Sequence, residues 1–279
     1  MSTKLQDTEV TLSRLLVLTA VVALWLLTGG ARAADTIGMD AGRDLVLRYL
    51  HEIDCGYAAR AALPENNARF EAKLLERMPP AQYMAERSAR AQAVSRRSSA
   101  CEGLGHQVRD VSIQYDASTT ALLRQAAVAG DRYARLQSDF PASDDPAAVA
   151  RARTQLQEIV QSGDLLAIGD IGWAIARSRH PRLYGSDTNN GDMQVIDTWM
   201  LVACELGLDC GSGSRPLDRW CLKLWGCAQP DLAGAIRAVH GEAYFLKVDA
   251  QRRALVAQIR NRDLQGLFAP VVNITGPAA

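Results

Sequence analysis

The stretch ACELGLDCG, residues 203–211, opens a block that contains four of the six cysteines of the chain. Cys204 and Cys210 form one Cys-x5-Cys pair, and Cys221 and Cys227 form a second. Structural zinc sites prefer about two to four residues between paired cysteines, so this wider spacing argues against a metal site. An even number of cysteines in an exported chain favours disulfides. The block therefore predicts a short helix that disulfides hold in place.

The N-terminus predicts that the chain is exported. Lys4 and Arg14 precede an apolar run from Leu15 to Leu27, and Ala31-Arg32-Ala33 has the A-x-A form of a signal-peptide cleavage site. The run is shorter than the ~20 residues that a membrane-spanning helix needs. We therefore expect cleavage before Ala34, a periplasmic or secreted mature chain, and no membrane span after the signal peptide is removed.

The charge and composition of the chain restrict its class. It carries 31 basic and 31 acidic side chains. Proteins that bind nucleic acids usually carry a basic surface, so we expect no nucleic-acid partner. The sequence is rich in good helix formers and has few alternating β-branched residues, which predicts an all-α protein. We expect an array of α/α hairpins, either solenoid-like or an irregular bundle, cross-linked by disulfides.

Prolines and cysteines organise the N-terminal part of the chain. Pro64 and Pro79-Pro80 end two predicted helices, because proline cannot continue a helix. Cys55 and Cys101 fall late in the first and third predicted helices, so we expect a disulfide between them. The predicted segments are a signal peptide at residues 1–33, a three-helix segment at residues 34–104, and an α/α-hairpin region at residues 119–269 with the cysteine block at residues 204–227.

A weak internal repeat lies in the hairpin region. Residues 121–137 and residues 154–170 align with an offset of 33 positions and share a Gly-Asp pair, Gly130-Asp131 and Gly163-Asp164. Glycine tolerates the left-handed conformation that closes a helix, and the following aspartate caps the first amides of the next helix. Each copy therefore predicts a helix, a tight Gly-Asp turn and a second helix, with a period typical of α/α repeats.

The cysteine block resembles a segment of cysteine-rich Sel-like repeat proteins, which are secreted relatives of tetratricopeptide-repeat proteins. The residues that carry the resemblance are 203–207 followed by Cys210. The block is also similar to an element of uncharacterised exported proteobacterial helical proteins. The resemblance implies local disulfides, Cys204–Cys210 and Cys221–Cys227, and a protein used for contacts rather than catalysis. A nested pairing, Cys204–Cys227 with Cys210–Cys221, stays open because both pairs centre on one turn.

Aromatic and histidine residues supply the candidate contact residues. Trp199, Trp220 and Trp225 fall within or near the cysteine block, where they predict either core packing or a surface that contacts a partner. His180 lies in a polar, turn-rich loop and is, of the four histidines, the candidate for contact with a ligand or partner. The four histidines contain no i, i+4 pair of the zinc hydrolases. We expect no cofactor and no metal.

The sequence supports two main functional hypotheses. The first is a non-catalytic exported helical protein that binds another protein or serves as a scaffold. A purely structural envelope protein is a third, weaker possibility. The alternative is a cell-envelope hydrolase whose site is assembled from scattered residues such as Glu205, Asp209, His180 and Asp187. Two titratable groups in one cleft would be the physical signature of that hydrolase.

Overall fold

The computed structural model describes residues 41–101, 117–141, 145–178 and 191–268. Within these ranges the secondary structure is helical, with turns and one isolated β-bridge and no β-strand. The all-α prediction is therefore confirmed for the described residues. The predictions for the signal peptide, His180 and Asp187 lie outside them.

Prolines and acidic caps explain where many of the helices begin. Pro64, Pro80, Pro146 and Pro216 each lie in the first turn of a helix, where the missing N–H has no intrahelical partner to lose. The helices in chain order are α1 (residues 41–62), α2 (Pro64–Arg77), α3 (Pro80–Ala100), α4 (Ala117–Val128), α5 (Arg132–Ser138), α6 (Pro146–Ser162), α7 (Leu165–Ser178), α8 (Gly191–Glu205), α9 (Arg215–Lys223), α10 (Leu232–His240), α11 (Glu242–Arg260) and α12 (Leu264–Leu267).

The two predicted Gly-Asp turns are confirmed. Gly130 and Gly163 have φ angles of 93° and 68°, the left-handed region that side chains with a Cβ rarely adopt. After each glycine, an aspartate caps the next helix: Asp131 accepts from the Ala134 amide at 2.9 Å, and Asp164 accepts from an amide of α7 at 3.3 Å. The chain therefore turns tightly between α4 and α5 and between α6 and α7.

One arginine from α1 joins the two turns. The Arg43 guanidinium lies 3.1 Å from the carboxylate of Asp131 and also pairs with Asp164. Asp131 is nearly fully buried, and this burial raises the pKa of its carboxyl group despite the hydrogen bond from its cap and the charge of Arg43. A second contact between matching repeat positions joins Gln137 to Asp170, with 2.9 Å between Nε2 and Oδ2. The repeated positions thus meet in space.

The main apolar core includes the hairpin helices, α8, the C-terminal helices and part of α1. Val46 and Leu50 of α1 belong to it, so the N-terminal segment and the hairpin region share one core. Helices α7 and α8 approach each other closely at Gly172, where a Cβ would stand 2.6 Å from the Ile196 Cα atom. Trp199 is fully buried and stacks on Phe268. The core fixes α8, which leads directly into the cysteine block.

All six cysteines form disulfides. Cys55 and Cys101 join α1 to α3, with 5.7 Å between their Cα atoms, as predicted. Cys204 pairs with Cys210 and Cys221 pairs with Cys227, each across a sequence separation of 6 residues. The local pairing is therefore confirmed, and the nested alternative is wrong. The second local disulfide closes the loop that follows α9.

Candidate functional site

Helix α3 holds the loop after α9 through a buried carboxylate. The Glu86 side chain is 2% exposed, and its oxygens accept hydrogen bonds from the amides of Gly226, Cys227 and Ala228 at 2.7, 2.8 and 3.0 Å. Hydrogen bonds from amides to a charged acceptor are stronger than those between neutral groups. Glu86 therefore fixes the backbone of the Cys221–Cys227 loop against α3.

One helical turn further along α3, Arg90 binds the end of α9. Its guanidinium donates to the carbonyl oxygens of Cys221 at 2.8 Å and Leu222 at 3.2 Å. The same group lies 3.7 Å from the centroid of the Phe70 ring. Burial lowers the pKa of Arg90 to about 10, while the charge of Glu86 opposes this shift. Arg90 therefore stays charged at neutral pH and caps the C-terminal carbonyls of α9.

The other end of α9 is held by two further arginines of α3. Asp218 is 1% exposed, and its carboxylate lies 2.8 Å from Arg96 and 2.7 Å from Arg97. Arg97 also donates to the carbonyl oxygen of Gly213, just before α9, at 3.1 Å. The α3–α9 contact, defined by Glu86, Arg90, Arg96, Arg97 and Asp218 with their partners, thus fixes α9 at both of its ends.

This contact places the end of α9 opposite α1 and α2, and a cleft of about 350 Å³ lies between them. We call it the basic cleft. Its volume is within the range of small-ligand sites. The basic cleft is lined by Tyr57, Arg60, Ala61, Asn66, Arg69, Phe70, Lys73, Arg90, Leu222, Lys223, Leu224 and Trp225.

All the charged side chains that line the cleft are basic. Five of its twelve side chains are basic and none is acidic, although the chain as a whole has no net charge. Three aromatic rings complete the lining, and Arg77 lies over one of them, with its Cζ atom 4.8 Å from the Trp225 ring centroid. A cleft lined by one sign of charge raises the local concentration of ions of the opposite sign. The basic cleft is therefore suited to an anionic ligand with an apolar or planar part.

Lys223, the last residue of α9, is the most perturbed cation of the cleft. Its Nζ atom lies 4.4 Å from the Tyr57 ring centroid and 5.5 Å from the Trp173 ring centroid. Burial of the ammonium group, together with the charge of the neighbouring Arg219, lowers its pKa to about 7. The residue as a whole is exposed, because part of its surface faces the open cleft. Lys223 is therefore both accessible and partly neutral at pH 7.

Behind the cleft, buried charges pair with one another. Arg215 binds the carboxylate of Asp54 and, at 3.5 Å, the carbonyl oxygen of Leu50. Burial alone would lower the pKa of Arg219. The charges of Asp170 and Asp54 oppose this effect and hold the pKa above its ordinary value. Asp54 and Asp170 thus have cationic neighbours of their own, and neither lines the cleft.

A separate polar cluster joins α8 to α10 and α11. The Tyr244 hydroxyl donates to Asp197 Oδ2 at 2.7 Å, and His240 Nε2 lies 3.9 Å from the same oxygen. Burial raises the pKa of Asp197 to about 7, opposed by the hydrogen bond from Tyr244. Asp197 has no exposed surface and lies behind the two partly exposed rings. The cluster thus connects three helices through polar groups.

The structure separates the predicted contact residues. Trp199 is in the main core and Trp220 is 7% exposed in a second core cluster, so both have the packing role that the sequence also allowed. Trp225 lines the basic cleft. Glu205 pairs with two arginines of α11, and Asp209 accepts from the Gly211 amide at 3.0 Å. These two carboxylates of the hydrolase hypothesis are each engaged in a structural contact.

Sequence reasoning missed the cations of the cleft. Arg69 and Lys73 are four residues apart and so lie on one face of α2, which is the signal that could have indicated a basic surface. Arg60, Arg90 and Lys223 come from other helices and carry no local signal. Charged residues on helices are normally solvated, so their convergence follows from tertiary packing.

Comparisons with protein-family models, with curated proteins and with solved structures find no match to this chain. Among the helices of the described ranges, none has both the length and the apolar character required to cross a membrane. The basic cleft is the feature from which a function can be inferred.

Proposed function

We propose that this chain is an exported, non-catalytic binding protein and that its basic cleft takes an acidic segment of a partner protein. One observation carries the proposal: five cations and three aromatic rings line a single cleft without a lining carboxylate. Arginine binds carboxylates through two parallel hydrogen bonds, which suits it to acidic side chains. The partner segment is therefore expected to combine glutamate or aspartate with an apolar side chain.

The exposure of the lining residues supports the binding of a protein segment in the cleft. The basic residues Arg60, Arg69 and Lys73 are exposed near the aromatic side chains Phe70 and Trp225, which are half-buried. Aromatic anchors surrounded by charged groups are typical of the residues that dominate binding energy at protein interfaces. An acidic side chain can meet the cations while its apolar neighbour packs on the rings.

The compartment is part of the proposal. Residues 1–33 have the pattern of a cleavable signal peptide. Three disulfides join all six cysteines, and disulfides persist in oxidising compartments such as the periplasm. These features support an exported protein. An oxidising compartment also keeps the Cys221–Cys227 loop closed, and this loop carries Trp225 of the cleft.

Binding of a fluorescent glutamate-rich peptide that contains one phenylalanine tests the proposal. We expect the double substitution R69Q/K73Q to weaken binding at least about tenfold, because each lost charge-assisted contact contributes on the order of 1 kcal/mol or more. The substitution R124Q/K247Q is the matched control, since it removes the same charge from exposed positions outside the cleft lining. We expect the control to bind within about twofold of the wild type.

A second peptide with glutamine in place of glutamate separates charge recognition from apolar attraction. We expect it to bind much more weakly than the acidic peptide. Equal affinity for the two peptides, or equal loss in the cleft and control variants, would contradict the proposal. Circular dichroism on each variant confirms that the helical fold is unchanged.

A further inference from the structure

Lys223 occupies a fixed position in the basic cleft. It ends α9, whose last carbonyls are held by Arg90, and it precedes the loop closed by the Cys221–Cys227 disulfide. Its Nζ atom faces the rings of Tyr57 and Trp173. No carboxylate of the described residues forms an ion pair with Nζ within 4.0 Å. The amine is thus positioned by its surroundings without being neutralised by an acid.

The charges that face Lys223 come from several helices. Arg219 on α9 and Arg60 on α1 disfavour its ammonium form, while Asp170 on α7 and Asp54 on α1 favour it. The two carboxylates are engaged elsewhere, Asp170 by Gln137 and Asp54 by Arg215. A lysine becomes a nucleophile when burial or a neighbouring cation keeps part of it neutral. Both conditions are met at this position.

We propose that Lys223 forms an imine with an aldehyde or ketone that carries a carboxylate or phosphate group and binds in the basic cleft. The lone pair of the neutral Nζ atom attacks the carbonyl carbon, and the C=O bond becomes a hydroxyl group. Both amine protons leave with that oxygen as one molecule of water, and a C=N bond remains. The step needs no oxidant or reductant.

The lining of the cleft determines the class of carbonyl compound. Arg60, Arg69 and Lys73 line the same cleft and supply donors for an anionic group beside the amine. The rings of Phe70 and Trp225 can pack against the carbon skeleton of the compound. A neutral aldehyde gains none of the ionic contacts, so we expect the cleft to select anionic carbonyl compounds.

This inference uses the basic cleft of the proposed function, but it does not require a protein partner. A small carbonyl acid and an acidic peptide segment would compete for the same cations. Arginine at position 223 would keep the positive charge for the peptide, yet its guanidinium cannot form the imine because it stays protonated. The substitution K223R therefore removes the imine and keeps a cation in the cleft, and the two proposals have separate readouts: labelling of Lys223 and affinity for the acidic peptide.

The chain supplies its own controls for a labelling experiment. Its lysines are Lys4, Lys73, Lys223 and Lys247. Lys73 lines the same cleft, and Lys247 is exposed on α11 outside it. The intact protein is incubated with glyoxylate, the imine is reduced with cyanoborohydride, and each lysine is quantified by peptide mass spectrometry. Any preference for Lys223 is then read within one sample.

We expect Lys223 to be labelled at least about tenfold faster than Lys247 at pH 7, since an ordinary lysine is almost entirely protonated there. The rate at Lys223 should rise between pH 6 and pH 8 and then level off, whereas the rate at Lys247 should keep rising. Equal labelling of the two lysines at pH 7 would overturn the proposal. So would preferential labelling of Lys73.

The anionic group is tested with three compounds. Glyoxylate carries a carboxylate, pyridoxal 5′-phosphate carries a phosphate, and propionaldehyde is neutral. We expect Lys223 to react faster with one or both anionic compounds than with propionaldehyde, relative to Lys247, and R69Q/K73Q to remove the preference. Which anionic compound reacts faster identifies the group. A preference for propionaldehyde would refute the selection of anions.

The variant K223R completes the test. We expect it to lose the label at position 223. Binding of the acidic peptide is measured separately on the wild type. If selective labelling occurs but the peptide does not bind, the imine inference stands and the protein-binding proposal fails. If the peptide binds and Lys223 reacts no faster than Lys247, the reverse holds. K247R serves as the folding and charge control.

Discussion

Helices α4 to α7 meet through aliphatic side chains and two Gly-Asp turns, whereas α3 holds α9 through buried carboxylates and guanidinium groups. In the hairpins the decisive residues are neighbours in the chain, such as Gly130 and Asp131. In the α3–α9 contact, Arg90 and Glu86 bind groups that lie 131 to 142 residues further along the chain. The two regions therefore differ in both the chemistry and the sequence range of their contacts.

The difference explains where a binding site can form. The apolar side chains of the hairpin helices pack together into a core, which includes Leu156, Ile159 and Ile171. Charged side chains instead hold α9 against α3, while Ala58 and Ala61 of α1 pack on Cys221 and Leu222. The basic cleft is lined by residues of α1, α2, α3 and α9 beside these contacts. Polar contacts of this kind fix one position of α9 relative to α3, because each donor must reach its acceptor. The α3–α9 contact is thus the scaffold of the cleft.

The largest expected effect concerns the covalent link between the two regions. Cys55–Cys101 closes 46 residues and ties α1, which belongs to the main core, to α3, which holds α9. We expect the double substitution C55S/C101S to lower the free energy of unfolding by about 4 kcal/mol, because a longer loop gains more entropy in the unfolded chain. Urea unfolding followed by circular dichroism measures the loss.

The pair Cys204–Cys210 provides the comparison, since it closes only 6 residues. We expect C204S/C210S to cost about 2 kcal/mol by the same reasoning. Equal losses for the two pairs would show that native-state strain, rather than loop length, sets their contribution. Local and long-range disulfides would then not differ in how much they stabilise this fold.

The next stability loss tests whether the buried carboxylate of Glu86 holds the Cys221–Cys227 loop in place. We expect Glu86→Ala to lower the free energy of unfolding by about 3 kcal/mol, because amides of the Cys221–Cys227 loop lose their acceptor. Glu76→Ala removes an exposed carboxylate from α2 and should change stability by less than about 0.5 kcal/mol. Similar small losses for both variants would mean that the disulfide alone fixes the loop.

The smallest effect lies in the hairpin region, where Arg43 joins the two turns. We expect Arg43→Met to cost about 2 kcal/mol at neutral pH, since two carboxylates lose a charged donor. Arg48→Met, exposed on the same helix, is the control. Urea midpoints measure both.

The loss from Arg43→Met should depend on pH with a definite sign. The pKa of Asp131 in the folded protein is raised, mainly by burial, and Arg43 opposes the shift. Without Arg43 it rises further, so stability falls more steeply as pH increases from about 4 through the folded pKa. The deficit should therefore be larger at pH 8 than at pH 4. A deficit that is the same at both pH values would assign no role to the charge of Asp131.

Local signals account for what the sequence predicted. Pro64 lies where α1 has ended, and Gly130 and Gly163 close helices. Each of these depends on backbone geometry within a few residues. The all-α fold followed from such signals. The local cysteine pairing was instead what the resemblance implied, and Cys55–Cys101 was expected from the positions of two packed helices.

The cleft could not be predicted in the same way. Lys223 and Arg90 look like solvated helix residues in the sequence, because long charged side chains are rarely buried. The burial of Arg90 and of the Lys223 ammonium group depends on partners brought from distant segments by the α3–α9 contact. Trp225 was a candidate contact residue, but its neighbours in the cleft come from α1, α2 and α9.

The range of the α3–α9 contact also sets the order in which the chain can assemble. Helix α3 is complete at Ala100, yet the acceptors of Arg90 and the amides that bind Glu86 extend to Ala228. Contacts between distant residues form late in folding because a long loop must first close. The hairpins can form as soon as they emerge, while the basic cleft appears only after more than three quarters of the chain has been synthesised. If the cleft binds the proposed ligand, that binding would report that the distant α3–α9 contact has formed.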